Sequence, residues 1–181
     1  MLDNAEEIYS RANSLVRKYG TRDPFRLADC TGVDIIRRRD FTSLLGMYAV
    51  VCRNRVIFLK DGLDGNLARA VVAHELGHDV FHRDLAKRGL IREYGLFNMK
   101  SETEYTANAF AAHVLIDTDE FLSLAREGRG FAAAARMLYT EPDLLLIKIR
   151  ELRRMGFDIR LPEEPDGEFL AGNGRQDTVP A

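Results

Sequence analysis

The chain has little cysteine, little net charge and no long apolar run. Its two cysteines, Cys30 and Cys52, stand far apart and lack any metal-ligand spacing. That excludes a disulfide framework or a cysteine-based zinc module, and it predicts two buried thiols in a reducing compartment. Net charge is −2, so no overall field recommends nucleic acid or an anionic membrane surface. No stretch approaches the roughly 20 apolar residues of a membrane span. The opening MLDNAEEIYS is acidic and lacks the apolar core of a secretion signal, which predicts a cytoplasmic location. No internal repeat is visible. A length of 181 residues suits one domain with a tail. We place the domain at residues 1–160, with a helical C-terminal part at about 121–157. Residues 161–181 form an acidic tail rich in Gly and Pro, expected to be flexible.

Histidine is also scarce, yet two of the four fall in His74-Glu75-Leu76-Gly77-His78. This is H-E-x-x-H. On a helix, residues four apart lie about 40° apart around the axis and roughly 6 Å along it, so both imidazoles can reach one metal ion. Glu75 sits to the side, placed to act on a water rather than on the metal. The flanks supply the helix. Leu67 to Arg83 has no proline, and Asp64, Gly65 or Asn66 can start it. Leu67, Ala70, Val71, His74, His78 and Phe81 share one face, so both histidines point inward. Gly77 beside that face costs helix stability, and its presence implies that a backbone or a substrate chain packs closely there.

A third ligand is sought on a second helix, SETEYTANAFAAHVLI at 101–116. Glu104 shares a face with Ala107, Asn108, Ala111 and Leu115, whereas Glu102 points the opposite way. A carboxylate on such a face needs a partner, and a metal would serve, with Asn108 one turn on to orient the site. Ser101-x-x-Glu104 is equally a capping box, so Glu104 has two readings, of which the inward face favours the ligand. His82 lies about 12 Å along the helix from His74, too far to share its ion. It reads first as a buried histidine holding a loop and second as a substrate contact. His113 falls opposite Glu104 and outside the site.

The run His74 to His82, H-E-L-G-H-x-x-x-H, together with E-x-x-A-N-x-F-A-A at Glu104 to Ala112, resembles the ImmA/IrrE metallopeptidases, a family also described as domain of unknown function 955. The likeness covers most of residues 5–155. This chain has Val114-Leu115-Ile116-Asp117 where the family usually has L-L-M-P, and Thr106 where it often has an acidic residue. The resemblance implies zinc at His74, His78 and Glu104, with Glu75 as catalytic base. It further implies regulation of a mobile element or stress response through cleavage of a helix-turn-helix repressor.

The scaffold before the motif reads clearly. Ile8, Ala12, Leu15, Val16 and Tyr19 form one stripe, so residues 4–19 are expected to be helical, ending at Gly20. Asp23-Pro24 starts a short helix that stops before Gly32. Residues 33–36 read as a strand, and 46–52 with 55–59 as a hairpin around Arg53-Asn54. A strand at the lip of a metal cleft could pair with an extended peptide, although most such strands only complete a sheet. Residues 84–100 read as a loop rimming the cleft. Tyr94 in that loop, with Tyr105 as rival, could donate a hydrogen bond to an oxyanion; packing is the simpler role for either. Residues 121–157 read as three helical pieces. Arg150, Arg153 and Arg154 there could touch DNA, but the overall charge favours a solvated basic face.

The sequence therefore predicts an α+β fold of the compact zincin kind, mostly helical with a small antiparallel sheet. It predicts a zinc endopeptidase acting on a protein substrate, which the family resemblance implies is a helix-turn-helix repressor, with nucleic acid and membrane disfavoured as partners. The alternative is a non-proteolytic regulator whose metal site is structural or sensory and whose C-terminal helices bind a repressor or DNA. Three convincing ligands, not four, favour an open catalytic position.

Overall fold

The central helix is apolar nearly all the way round, and a helix of that kind is stable only inside a protein. The computed structural model describes residues 2–88, 91–93 and 101–165. In it α3 (Gly65–Phe81) is the hub, buried without a break from Ala70 to Asp79. The Asp64 carboxylate starts it by accepting from the amides of Asn66 and Leu67. This satisfies two of the amides a helix start leaves orphaned. The neighbouring helix α5 (Glu102–Leu115) is likewise buried from Thr106 to Val114, and the Ser101 hydroxyl caps it.

Before the hub come α1 (Leu2–Tyr19), α2 (Pro24–Thr31), β1 (Val33–Arg38), β2 (Gly46–Val51) and β3 (Asn54–Lys60). After it come α4 (Arg83–Arg88) and β4 (Ile91–Glu93). Beyond α5 lie α6 (Thr118–Arg126), α7 (Phe131–Met137) and α8 (Pro142–Arg154). The strands form one sheet in the order β1-β3-β2-β4. α3 packs between this sheet and α5, and α1 and α8 cover α5 from other sides. The core gathers Ile8, Leu27, Tyr48, Ile57, Leu76, Phe110, Phe121 and Leu145. The architecture is the compact α+β fold expected.

Four expectations are corrected. The sheet is mixed, because β1 runs parallel to β3, and only the β2–β3 and β2–β4 pairs are antiparallel. Residues 84–100 are not all loop: they include most of α4 and all of β4, while 89–90 and 94–100 lie outside the described residues. The hairpin turns at Cys52-Arg53, one residue earlier than read, with φ of 50° and 70°. Both are left-handed, the conformation of a two-residue hairpin turn, here adopted without glycine. Finally, Cys30 and Cys52 are exposed, not buried. The first sits on the outer side of α2 and the second at the hairpin tip, where no core can reach.

Candidate metal centre

One turn of α3 puts His74 and His78 on the same side, facing α5. Both are fully buried. The two Nε2 atoms stand 3.0 Å apart. Glu104 Oε2 lies 3.2 Å from His74 Nε2, and Glu104 Oε1 lies 3.6 Å from His78 Nε2. A four-coordinate ion with bonds of about 2.0–2.1 Å keeps its donor atoms roughly 3.4 Å apart at tetrahedral angles. The three separations bracket that figure, so the donor set fits such an ion. Among the described residues, His74, His78 and Glu104 are the group whose side chains converge in this way. Glu102 is exposed and absent from the group.

Each histidine is held from behind. The His74 Nδ1 lies 2.8 Å from Asn108 Oδ1, an acceptor, so the ring carries its proton on Nδ1 and turns the Nε2 lone pair inward. His78 Nδ1 lies 3.0 Å from His82 Nδ1. Burial pushes the His78 pKa down to about 4, partly opposed by Glu104, which leaves the ring neutral at ordinary pH. His82 caps α3, its amide donating to the His78 carbonyl at 2.8 Å, and is only half-buried. The structure thus places His82 against His78 itself, where the sequence reading had it holding a loop.

Glu75 is fully buried and is not one of the three converging donors. Its carboxylate lies against the first residue of β2. A Cβ on Gly46 would come within 2.6 Å of Glu75 Oε1 and 2.5 Å of Val71 Cγ1, so glycine is what lets the strand pass there. On the far side of α3, a Cβ on Gly77 would meet the Ala107 Cα at 2.8 Å. The close packing inferred from Gly77 is therefore with another helix backbone.

Sequence reasoning missed Asp79. This buried carboxylate accepts from Tyr48 Oη at 2.6 Å, Arg55 Nη1 at 2.9 Å and Arg83 Nη2 at 3.0 Å. Burial and the Asp79 charge together push the Tyr48 hydroxyl pKa far up, so it stays a donor. The network fastens α3 to β2 and β3 immediately after His78. A signal was available: an acid next to the second histidine, with Arg83 one turn on, needs explaining on a buried helix.

Tyr105 is removed from the rivalry over an oxyanion. Its hydroxyl donates to Glu151 and receives Arg154, both on α8, so it serves the α5–α8 contact. Tyr94 lies outside the described residues. Arg154 also pairs with Glu151, and Arg153 with Glu164 and the Ile159 carbonyl, so these two basic residues have internal partners. His113 is buried away from the site, with Lys148 Nζ 3.0 Å from its Nδ1 and the Tyr9 ring edge-on.

Residues 28–140 match the family model of the IrrE N-terminal-like domain, Peptidase_M78. The chain belongs to this metallopeptidase family. It is also 29% identical over 109 residues to "Uncharacterized immunity region protein 2" of Bacillus phage phi105, covering 60% of this chain and 68% of that protein. No helix among the described residues is long and apolar enough to cross a membrane.

Proposed function

We propose that the chain is a zinc-dependent endopeptidase, and the observation that carries this is the convergence of His74, His78 and Glu104 with Glu75 beside them. Two imidazole nitrogens and one carboxylate are the donor set of an open zinc site. When bound there, zinc would supply Lewis acidity toward a peptide carbonyl and make a water acidic enough to attack at neutral pH. His74 and His78 hold their Nε2 lone pairs inward, fixed by Asn108 and His82. The Glu75 carboxylate takes a proton from the attacking water and hands it to the nitrogen of the departing amine. Its full burial, with the β2 backbone at Gly46 against it, shields that carboxylate from bulk water.

The substrate we assign is a folded regulator of the helix-turn-helix repressor class, met in the cytoplasm. The name of the Bacillus phage phi105 relative, an immunity region protein, supports a regulatory setting for this chain. Residues 1–165 act as one domain, five residues longer than expected, because Leu161 lies in the core, the Pro162 carbonyl accepts from the Phe131 amide and Glu164 pairs with Arg153. The rival is a non-proteolytic regulator whose metal site is structural or sensory; a structural site would want four protein donors, and three converge among the described residues.

The test incubates the product of the neighbouring gene, whatever its class, with zinc-loaded wild-type protein and with Glu75→Gln. Cleavage by the wild type alone is expected. Equal cleavage by both would end the mechanism, and binding without cleavage by either would favour the regulator.

A further inference from the structure

β2 is paired along its whole length on one side, from Gly46 opposite Leu59 to Val51 opposite Asn54. Its other side is covered over three residues: Gly46 faces Glu93, Met47 faces Arg92 and Tyr48 faces Ile91, all antiparallel. Ala49–Val51 have no strand partner on that side among the described residues. The covered end is the end nearest the chemistry, since Gly46 is the residue whose backbone lies against the Glu75 carboxylate.

An exposed strand edge offers a row of amides and carbonyls, and extended polypeptides bind such edges by adding a strand. Beside a hydrolytic carboxylate, that edge is the natural seat for a chain about to be cut. Here it is filled by the protein's own residues, drawn from the connection between α4 and the Glu104 helix α5.

The geometry points to Ile91–Glu93 as a built-in competitor for the substrate: it holds the main-chain pairing positions of Gly46–Tyr48 beside Glu75, and an unfolded chain binds there only by displacing it. The inference rests on the endopeptidase reading for the nature of the displaced substrate. Three paired residues make a short, breakable strand. Each main-chain hydrogen bond given up is worth on the order of a factor of ten in binding. A folded partner with contacts elsewhere can offset that loss, whereas a generic unfolded chain cannot. The same strand therefore suppresses indiscriminate digestion and leaves a partner-specific route open.

The test works in a Cys30→Ser/Cys52→Ser background, which removes both exposed thiols. Met47→Cys with Arg92→Cys puts cysteines at directly opposed positions, to be linked with oxidised glutathione. A companion Ile91→Pro/Arg92→Pro chain removes an inward amide whichever way the strand alternates. Fluorescein-labelled β-casein, an unfolded polypeptide, is the probe. Its binding is read by anisotropy on zinc-loaded chains that also carry Glu75→Gln, and its hydrolysis on chains that keep Glu75. The proline chain is expected to bind casein at least about tenfold more tightly than its parent, and the linked chain at least about tenfold more weakly than its reduced form. Equal casein binding by linked, reduced and proline chains would overturn the inference, as would failure of the two cysteines to link. If binding follows the series while no form cuts casein or the partner protein, the competitor strand stands and the endopeptidase reading falls. If all forms bind and cut alike, the reverse holds.

Discussion

Gly77 on α3 lies directly against the backbone of Ala107 on α5, with no room for a methyl group between them. A Cβ at Gly77 would stand 2.8 Å from the Ala107 Cα and 3.1 Å from its carbonyl oxygen. Glu104 is one turn before Ala107, so this approach sets how near its carboxylate comes to the two histidines. Gly77→Ala should gain about 1 kcal/mol in helix propensity. Against that, overpacking typically costs about 1–3 kcal/mol, and the obstacle is backbone that cannot swing aside. The cost should win. We expect a lower urea midpoint and zinc affinity down by about tenfold or more, read by competition with a chelating dye. A more stable variant with unchanged affinity would show that the helix spacing does not control the site.

The assignment of Glu104 is checked by metal content. Glu104→Gln should purify with little zinc, while Glu102→Gln, altered at an exposed position, should keep one ion per chain. The opposite pattern would make Glu104 a cap and nothing more.

Asn108 is expected to act through His74. Asn108→Ala removes the acceptor at 2.8 Å and should weaken zinc binding by about tenfold to a hundredfold with the fold intact. Asn108→Asp keeps an acceptor and should restore most of the loss. A merely structural asparagine would give no such rescue.

A buried lysine should make stability depend on pH. Lys148 Nζ is fully buried, 2.8 Å from Thr118 Oγ1 and 3.0 Å from His113 Nδ1, near Arg22 and Asp117. Burial, reinforced by the Arg22 charge and opposed by Asp117, pushes its pKa down to about 7. The unfolded chain keeps this proton to about pH 10.4. Between those values the unfolded state binds more protons, so stability rises with pH, by at most about 1.4 kcal/mol per unit. His113, held well below its ordinary pKa by burial, is already neutral in this window. Urea midpoints should climb from pH 7 to 9.5 in the wild type and stay flat in Lys148→Met. A flat wild-type profile would mean that Lys148 is not desolvated as the structure has it.

How much was legible follows the range of each interaction. The hub helix could be read from its own residues: Asp64 to start it, no proline inside, and an inward face bearing both histidines. Glu104 was separable from Glu102 by helical period alone. Asp79 was not seen because its partners Tyr48 and Arg55 are far away in sequence, and a period says nothing about which strand lies across. The parallel β1–β3 pair was missed for a similar reason, since hairpin signals mark neighbours in the chain and β3 reaches past β2 to find β1. Cys52 reads as a buried thiol ending a strand, whereas its left-handed φ of 50° puts it in the exposed hairpin turn.

The Asp79 network has a consequence for how the protein meets its metal. Tyr48 and Arg55 clamp the histidine helix to the sheet through protein atoms alone, and Arg83 at the start of α4 braces the same carboxylate. The histidine side of the site is thus positioned by the fold itself. Stripping the ion should leave a folded chain, unlike small zinc modules that collapse without theirs. The metal is then an addition to a finished fold, to be taken up and given back without the chain unfolding.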